Sequence, residues 1–265
     1  MKDDQDRFYT NEQEAERLLY FVKNRLVEFD FIIEPCVGDG ALVRALESTL
    51  ESPNLVLFEK NPTDAEFNYS LNIGNVLKRD FSGFENTCVV MNPPFGKNAN
   101  KAIEFFNHFA SFEGIRTIFA ILPKTFRKNS VHNRLNKFLH LENDFDYKSH
   151  FLFENKEIDV PCCFQVWERR DVPRTIENRT TSEFIDFTTK ECADIAVRRA
   201  GGKAGQILDG LDHSKSSTYF IKLLRPDSLS RIQSINLDVV GNTVGVKSIS
   251  KHELITLIEG GWDES

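Results

Sequence analysis

The run Cys88-Val89-Val90-Met91 has the short, apolar character of a buried strand, and it cannot continue past Asn92-Pro93-Pro94-Phe95-Gly96. Each proline lacks an N–H and fixes its own φ, so this segment extends neither a ladder nor a helix. It presents acceptors instead: the Pro93 and Pro94 carbonyls and the side-chain oxygen of Asn92, with an aromatic face beside them at Phe95. Acceptors without donors suit an amino group that must present two hydrogens, carried on a flat heterocycle that the ring can cover. Pro-Pro alone is more simply an ordinary turn after a strand. The segments upstream decide between the two.

Phe29-Asp30-Phe31-Ile32-Ile33 reads as a strand running into Glu34-Pro35-Cys36-Val37-Gly38-Asp39-Gly40, followed by a helix over residues 41–50. Glycines in such a turn let the backbone approach a ligand at the carboxyl end of the strand. The turn is not G-x-G-x-x-G. Its glycines are paired with Glu34 and Asp39, which suits a cationic ligand better than a pyrophosphate. A second apolar strand over residues 54–58 ends at Glu59, about 20 residues further on, where a carboxylate accepts both hydroxyls of a ribose. Asn75-Val76-Leu77-Lys78-Arg79-Asp80-Phe81 then offers an acceptor at Asp80 with a ring beside it at Phe81.

The other segments fall into place around these. Ala15, Leu18, Leu19, Val22 and Leu26 recur at helical spacing behind Thr10 or Asn11 as N-cap. A helix over residues 99–112, a strand over 117–123 and a helix over 130–139 follow, then two strands over 146–153 and 163–167. Strands alternating with helices imply a mostly parallel sheet with right-handed crossovers. A first domain over residues 1–170 is therefore expected, with a smaller α+β extension over 171–265. In the extension, Thr180-Thr181-Ser182-Glu183 and Ser250-Lys251-His252-Glu253 have capping-box spacing.

Taken together, these segments resemble the amino-methyltransferases that carry N-P-P-Y or N-P-P-F, above all the DNA adenine-N6 branch. The resemblance covers about residues 8 to 170 and implies an α/β fold, a Rossmann-like methyltransferase sheet finished by a closing antiparallel strand pair. It implies S-adenosylmethionine as cofactor. Tyr9 and Thr10, in Phe8-Tyr9-Thr10, would line its methionine end, and Glu34, Pro35, Gly38, Asp39 and Gly40 would face the charged methionine portion. Glu59 would take the ribose, and Asp80 with Phe81 the adenine. Asn92, Pro93, Pro94 and Phe95 would be catalytic, and a target inside a duplex would have to be flipped out. Some RNA adenine-N6 enzymes share N-P-P-F, and RNA adenine-N6 methylation remains the alternative. Cytosine-N4 enzymes usually carry Ser-Pro-Pro, so Asn92 counts against them. Glutamine-N5 enzymes lack a comparable basic tract, and a non-catalytic subunit would show a damaged motif.

Charge adds the partner. The 265 residues carry a formal net charge of −7, yet the charge is segregated, with 13 acidic and 7 basic residues through position 60. Lys124, Arg127, Lys128, Arg134 and Lys137 form a tract without a carboxylate, and Arg198, Arg199 and Lys203 sit in a glycine-rich stretch. Those residues are the expected contacts to a DNA or RNA substrate. The five cysteines show no C-x-x-C spacing, so buried thiols are expected and a metal site is not. No apolar run is long enough for a membrane helix. The polar, acidic start fits neither a signal nor a transit peptide, so a cytoplasmic protein is expected.

Overall fold

The computed structural model describes residues 10–147, 151–153, 156–158, 160–176, 178–243 and 246–260. Helix α1 (Glu12–Leu26) forms where the apolar stripe predicts it, with Ala15, Leu18, Leu19, Val22 and Leu26 buried. Asn11 sets its start by accepting from the N–H groups of Gln13 at 3.0 Å and Glu14 at 3.3 Å, a cap worth about 1 kcal/mol. There follow β1 (Phe31–Glu34), α2 (Ala41–Thr49), β2 (Leu55–Glu59), β3 (Leu71–Ile73), β4 (Thr87–Met91), α3 (Asn100–Phe109) and β5 (Ile115–Pro123). A short α4 (Asn129–His132) precedes β6 (Leu139–Tyr147), the small hairpin β7 (Phe151–Phe153) and β8 (Lys156–Ile158), and β9 (Cys162–Arg169).

Seven of these strands make one sheet in the order β3-β2-β1-β4-β5-β9-β6. Strands β3, β2, β1, β4 and β5 pair in parallel, and β9 runs antiparallel to both β5 and β6. Side chains alternate between the faces, as strand geometry requires. Ile32, Leu57, Cys88 and Val90 pack toward α1 and α2, while Ile33, Phe58, Val89 and Met91 pack toward α3. With helices on both faces, a parallel sheet has no wet side, which explains the nearly unbroken apolar runs.

Two expectations about this region are corrected. The helix expected over residues 130–139 ends at His132. Asn136 closes a turn by accepting from Phe138 N at 3.0 Å, and Arg174 donates to the carbonyls of His132 and Leu135. The chain then enters β6 at Leu139, seven residues earlier than its period suggested. Strand β9 drives this, because it is buried from Cys162 to Trp167 and needs a long strand on each side to cover it.

The chain divides into two compact units, one drawn from Met1–Phe126 and Ser130–Ile176, the other from Arg127–Asn129 and Glu177–Ser265. The second has its own antiparallel sheet, β10 (Ile185–Phe187), β11 (Ile195–Arg198), β12 (Ile207–Leu208) and β13 (Thr218–Leu223), in the order β10-β13-β11-β12. Helices α5 (Ser228–Ser234) and α6 (Lys251–Ile258) contribute Ile232, Leu254, Ile255 and Ile258 to its core. The capping box at Ser250 and Glu253 forms as read. The one at Thr180–Glu183 caps no helix: Ser182 Oγ accepts from Phe184 N and the chain continues into β10. No described helix is long and apolar enough to cross a membrane.

One polar chain runs from the interior of the first unit to the exposed Asp144. The Trp167 indole donates to Gln165 at 3.0 Å, and Gln165 donates to Asp144 at 2.9 Å. The His132 imidazole stands edge-on to Trp167, ring centroids 4.9 Å apart. Burial drives its pKa down to about 4, and Arg174 adds to the effect against the hydrogen bond to Phe126. In the unfolded chain the ring takes up its proton near pH 6.5, so between these values the unfolded state binds more protons and stability falls as pH drops. At pH 5 that amounts to about 2 kcal/mol. Denaturant titrations at pH 7 and pH 5 should show His132→Phe losing this increment of acid sensitivity, and an unchanged pH dependence would count against it.

Candidate active site

Because β1, β2 and β4 are parallel neighbours, their carboxyl ends share one edge of the sheet. The chain winds outward from β1 through β2 to β3, then returns to place β4 and β5 on the other side. The reversal point between β1 and β4 is where such sheets bind ligands. A recess opens there, with about 270 Å³ of empty space open to solvent, lined by Thr10, Glu34, Cys36, Val37, Gly38, Asp39, Ala41, Leu42 and Asn92. Among the described residues no cluster of His, Cys, Asp and Glu is arranged to hold a metal ion.

The turn after β1 is held by several independent ties. Glu59, at the end of β2, accepts from Gly38 N at 3.0 Å and from Lys60 N at 2.9 Å. Thr63 donates to the Gly38 carbonyl at 2.9 Å, and Arg44 donates to the Asp39 carbonyl at 2.8 Å while pairing with Glu12. Asp39 is exposed and accepts from Ala41 N at 3.2 Å. Gly40 has φ +86°, and a Cβ there would stand 2.6 Å from Phe67, so no other residue fits without rearrangement. Pro35 is buried behind the turn.

Glu34 is the unusual member. It is 0 % exposed, one carboxyl oxygen accepts from Cys36 N at 3.0 Å, and the other, Oε2, is buried with no hydrogen-bond partner. Burial, with the Glu59 and Asp39 carboxylates adding to it, pushes its pKa up to about 8 against the hydrogen bond from Cys36. Burial likewise holds the Cys36 thiol well above its ordinary range, with Glu34 and Glu59 adding to the effect.

Asn92 follows β4 directly, and its amide Nδ2 donates to Thr10 Oγ1 at 2.8 Å. That bond ties the acceptor loop to the residue just before the α1 cap and fixes which way the planar amide points. Pro93 is buried and Pro94 half-buried. Beyond them the backbone is left-handed at Gly96 (φ +68°), Asn98 (φ +55°) and Ala99 (φ +59°). For a residue with a Cβ this costs about 1–2 kcal/mol. Arg134 supports the strained stretch, donating to the Asn98 carbonyl at 3.3 Å and to the Asn100 side chain at 2.6 Å.

The structure therefore gathers Thr10, Glu34, Gly38, Asp39 and Asn92 around one recess, with Glu59 latched to its turn. It does not gather everything the sequence offered. Phe81 is 1 % exposed and packs against Phe58, Phe84, His108, Phe109 and Phe112, so it is a core residue and not a ring beside a ligand. Asp80 is exposed and accepts from the Ser82 N–H and hydroxyl, which lowers its pKa. The Phe95 ring is 6 % exposed among the apolar side chains on the α1 and α2 face, so stacking on a base would require its cover to shift. Tyr9 lies outside the described residues.

The basic residues also sort themselves. Lys128 is 8 % exposed, with Nζ donating to the Ser248 carbonyl at 2.8 Å and lying 3.6 Å from Glu253. It is a buried, paired cation and not a phosphate contact, because a charge at that depth requires its partners. Lys124 pairs with the exposed Asp146 at 3.3 Å, and Arg127 is half-buried. Arg198 donates to Ser217 at 2.9 Å, Arg199 lies over the Tyr219 ring at 5.8 Å, and Lys203 is exposed. In that stretch the N–H groups of Arg198, Arg199, Gly201, Ala204, Gly205 and Gln206 already have carbonyl partners. Sequence reasoning missed Thr63 and Arg44, and it read Arg134 as a substrate contact where the structure ties it to Asn98 and Asn100.

No family profile matches the sequence, and no curated protein matches it. Among solved structures the chain is similar to a candidate RNA methyltransferase from Pyrococcus horikoshii, at 14 % identity and TM-score 0.50, over 62 % of this chain and 87 % of that one. It is also similar to the 23S rRNA methyltransferase ErmE, at 12 % identity and TM-score 0.41, over 63 % of this chain and 71 % of that one. A third likeness is to a candidate modification subunit of a type I restriction enzyme from Vibrio vulnificus, at 14 % identity and TM-score 0.41, over 63 % and 46 %. The first likeness, with the strand order, defines the fold: a Rossmann-like methyltransferase sheet.

The Glu34 carboxyl carries a stability consequence. Unfolded, it ionises near its ordinary value of 4.5, while folded it keeps its proton to about 8. Across that window the unfolded state binds fewer protons, so folding weakens as pH rises. Glu34→Gln should stabilise the ligand-free protein by about 3 kcal/mol at pH 7 and by almost nothing at pH 4.5. Denaturant titration at both pH values checks this.

Proposed function

We propose that this chain is an S-adenosylmethionine-dependent methyltransferase acting on the exocyclic N6 of adenine in DNA. The observation that carries the reading is the hydrogen bond between Asn92 and Thr10, which sets the Asn-Pro-Pro-Phe loop at the lip of the recess containing Glu34 and Asp39. The recess suits the methionine portion of the cofactor: an orphaned carboxyl oxygen, a second carboxylate, and backbone that only glycine permits. When bound, S-adenosylmethionine supplies an electrophilic methyl group.

The protein's own contribution is placement and polarity. Glu34 and Asp39 hold the positive methionine end, and Glu59 reaches the ribose from the end of β2. Asn92 and the Pro93 carbonyl accept from the target amino group, and so favour the pyramidal nitrogen whose lone pair is released from the ring. Acceptors fixed in advance by the fold stabilise the positive charge developing on that nitrogen without having to reorganise. The acceptor loop contains no cysteine and burial holds the Cys36 thiol of the recess protonated, so attack is direct from nitrogen and no thiolate adduct forms. Residues 171–265 select the target, with Arg199 and Lys203 meeting phosphates, which fixes register rather than sequence.

Incubation with duplex DNA, single-stranded DNA and RNA, followed by nucleoside analysis, should give N6-methyladenine from DNA. Methylation of RNA alone would move the assignment to the alternative substrate, and methylation of neither would overturn it. Asn92→Ala should keep cofactor affinity while transfer falls at least ~100-fold, on the scale of about 2.7–4 kcal/mol for one such group. A variant with near-full turnover would remove Asn92 from this role.

For the second unit, Arg199→Ala combined with Lys203→Ala should weaken DNA binding. It should also flatten its salt dependence, by roughly 0.9 log units per log of salt for each phosphate the variant no longer neutralises. Unchanged binding would mean these residues do not meet the substrate.

A further inference from the structure

On the reading that the recess takes the methionine portion of the cofactor, we infer that Glu34 waits as a neutral carboxylic acid and releases its proton to solvent when the cofactor's α-ammonium docks. Cofactor binding is then a proton-linked event, and Glu34 is the residue that makes it so.

The geometry carries this. Glu34 is wholly buried and lines a recess open to solvent, with Oε2 unpartnered and Oε1 fixed on Cys36 N. The charged groups acting on it are Asp39 from the turn and Glu59 from the end of β2, both of which disfavour a further negative charge, while burial holds the neighbouring Cys36 thiol neutral. From the segment before α1, from α2 and from the acceptor loop the recess is lined by Thr10, Ala41, Leu42 and Asn92, none of which carries a charge. The nearby cation of Arg44 is committed to Glu12 and to the Asp39 carbonyl. Among the described residues Glu34 thus lacks a basic partner, and an unpaired carboxylate at that depth is the costly state.

An arriving ammonium reverses the balance. The O–H bond of Glu34 breaks, its proton passes to the buffer, and the carboxylate pairs with the ammonium, whose own three N–H bonds stay intact. No electron changes hands. The arrangement keeps the buried carboxyl of the ligand-free recess neutral, and it selects ligands bearing a cation at that end. A nucleoside without the amino-acid portion offers no such cation and leaves Glu34 protonated.

The test is calorimetric titration of the full chain with S-adenosylmethionine at pH 7 in phosphate and in Tris, which differ widely in ionisation enthalpy. Close to one proton should be released per cofactor bound, and affinity should rise about tenfold per pH unit between about pH 6 and 7. Titration with 5′-methylthioadenosine, which lacks the ammonium, should release none. Glu34→Gln should abolish both the release and the pH slope. Binding with equal heats in the two buffers would overturn the inference while leaving the cofactor assignment standing, and so would release retained in Glu34→Gln. No binding of S-adenosylmethionine at any pH would overturn that assignment and this inference with it. The wild-type buffer comparison decides the matter even if the variant fails to fold.

Discussion

The parallel pairing of β1 with β4, Ile32 opposite Cys88 and Ile33 opposite Val89, is the constraint on which the site depends. It brings Glu34 and Asn92, far apart in sequence, to the same edge of the sheet and the same recess. Parallel pairing demands a crossover, and the crossover brings the helices that bury both faces. A one-residue slip in this register would turn Ile33 and Val89 toward the wrong layer, so core packing protects the geometry of the site.

Around that edge the protein uses polar contacts to hold backbone in place. Glu59, Thr63 and Arg44 each grip the turn after β1, and Arg134 grips the left-handed stretch after Phe95. Strain of this kind persists only where neighbours over-determine the conformation. The orphaned Glu34 oxygen is the converse, a polar group left without a partner where a ligand is expected to bring one. Stability given up at Glu34 and Ala99 is consistent with a site shaped for a ligand rather than for the empty protein.

The elements with clean periodicity were legible from the chain alone: α1 from its apolar stripe, β1 and β4 from their apolar runs, α6 from its capping box. Those are local signals, and local physics decides them. The helix expected over residues 130–139 failed because Asn136 and Arg174 end it with bonds that sequence spacing does not reveal. Lys128 read as a solvent-facing cation because charge counting ignores depth, yet Glu253 and Ser248 hold it inside. Phe81 read as a ligand-side ring, and five aromatic neighbours make it core.

By itself the sequence determined which residues can do chemistry: two prolines that strip donors from a loop, glycines that admit a ligand to a turn, and carboxylates placed at strand ends. Those properties belong to single residues and their immediate neighbours, so they survive without a fold. Only the tertiary structure decided which of them meet. It joined Thr10 to Asn92, buried one oxygen of Glu34 unpartnered beside two other carboxylates, and withdrew Lys128 and Phe81 into the interior. Burial and long-range pairing are properties of the assembled sheet. No window of sequence contains them.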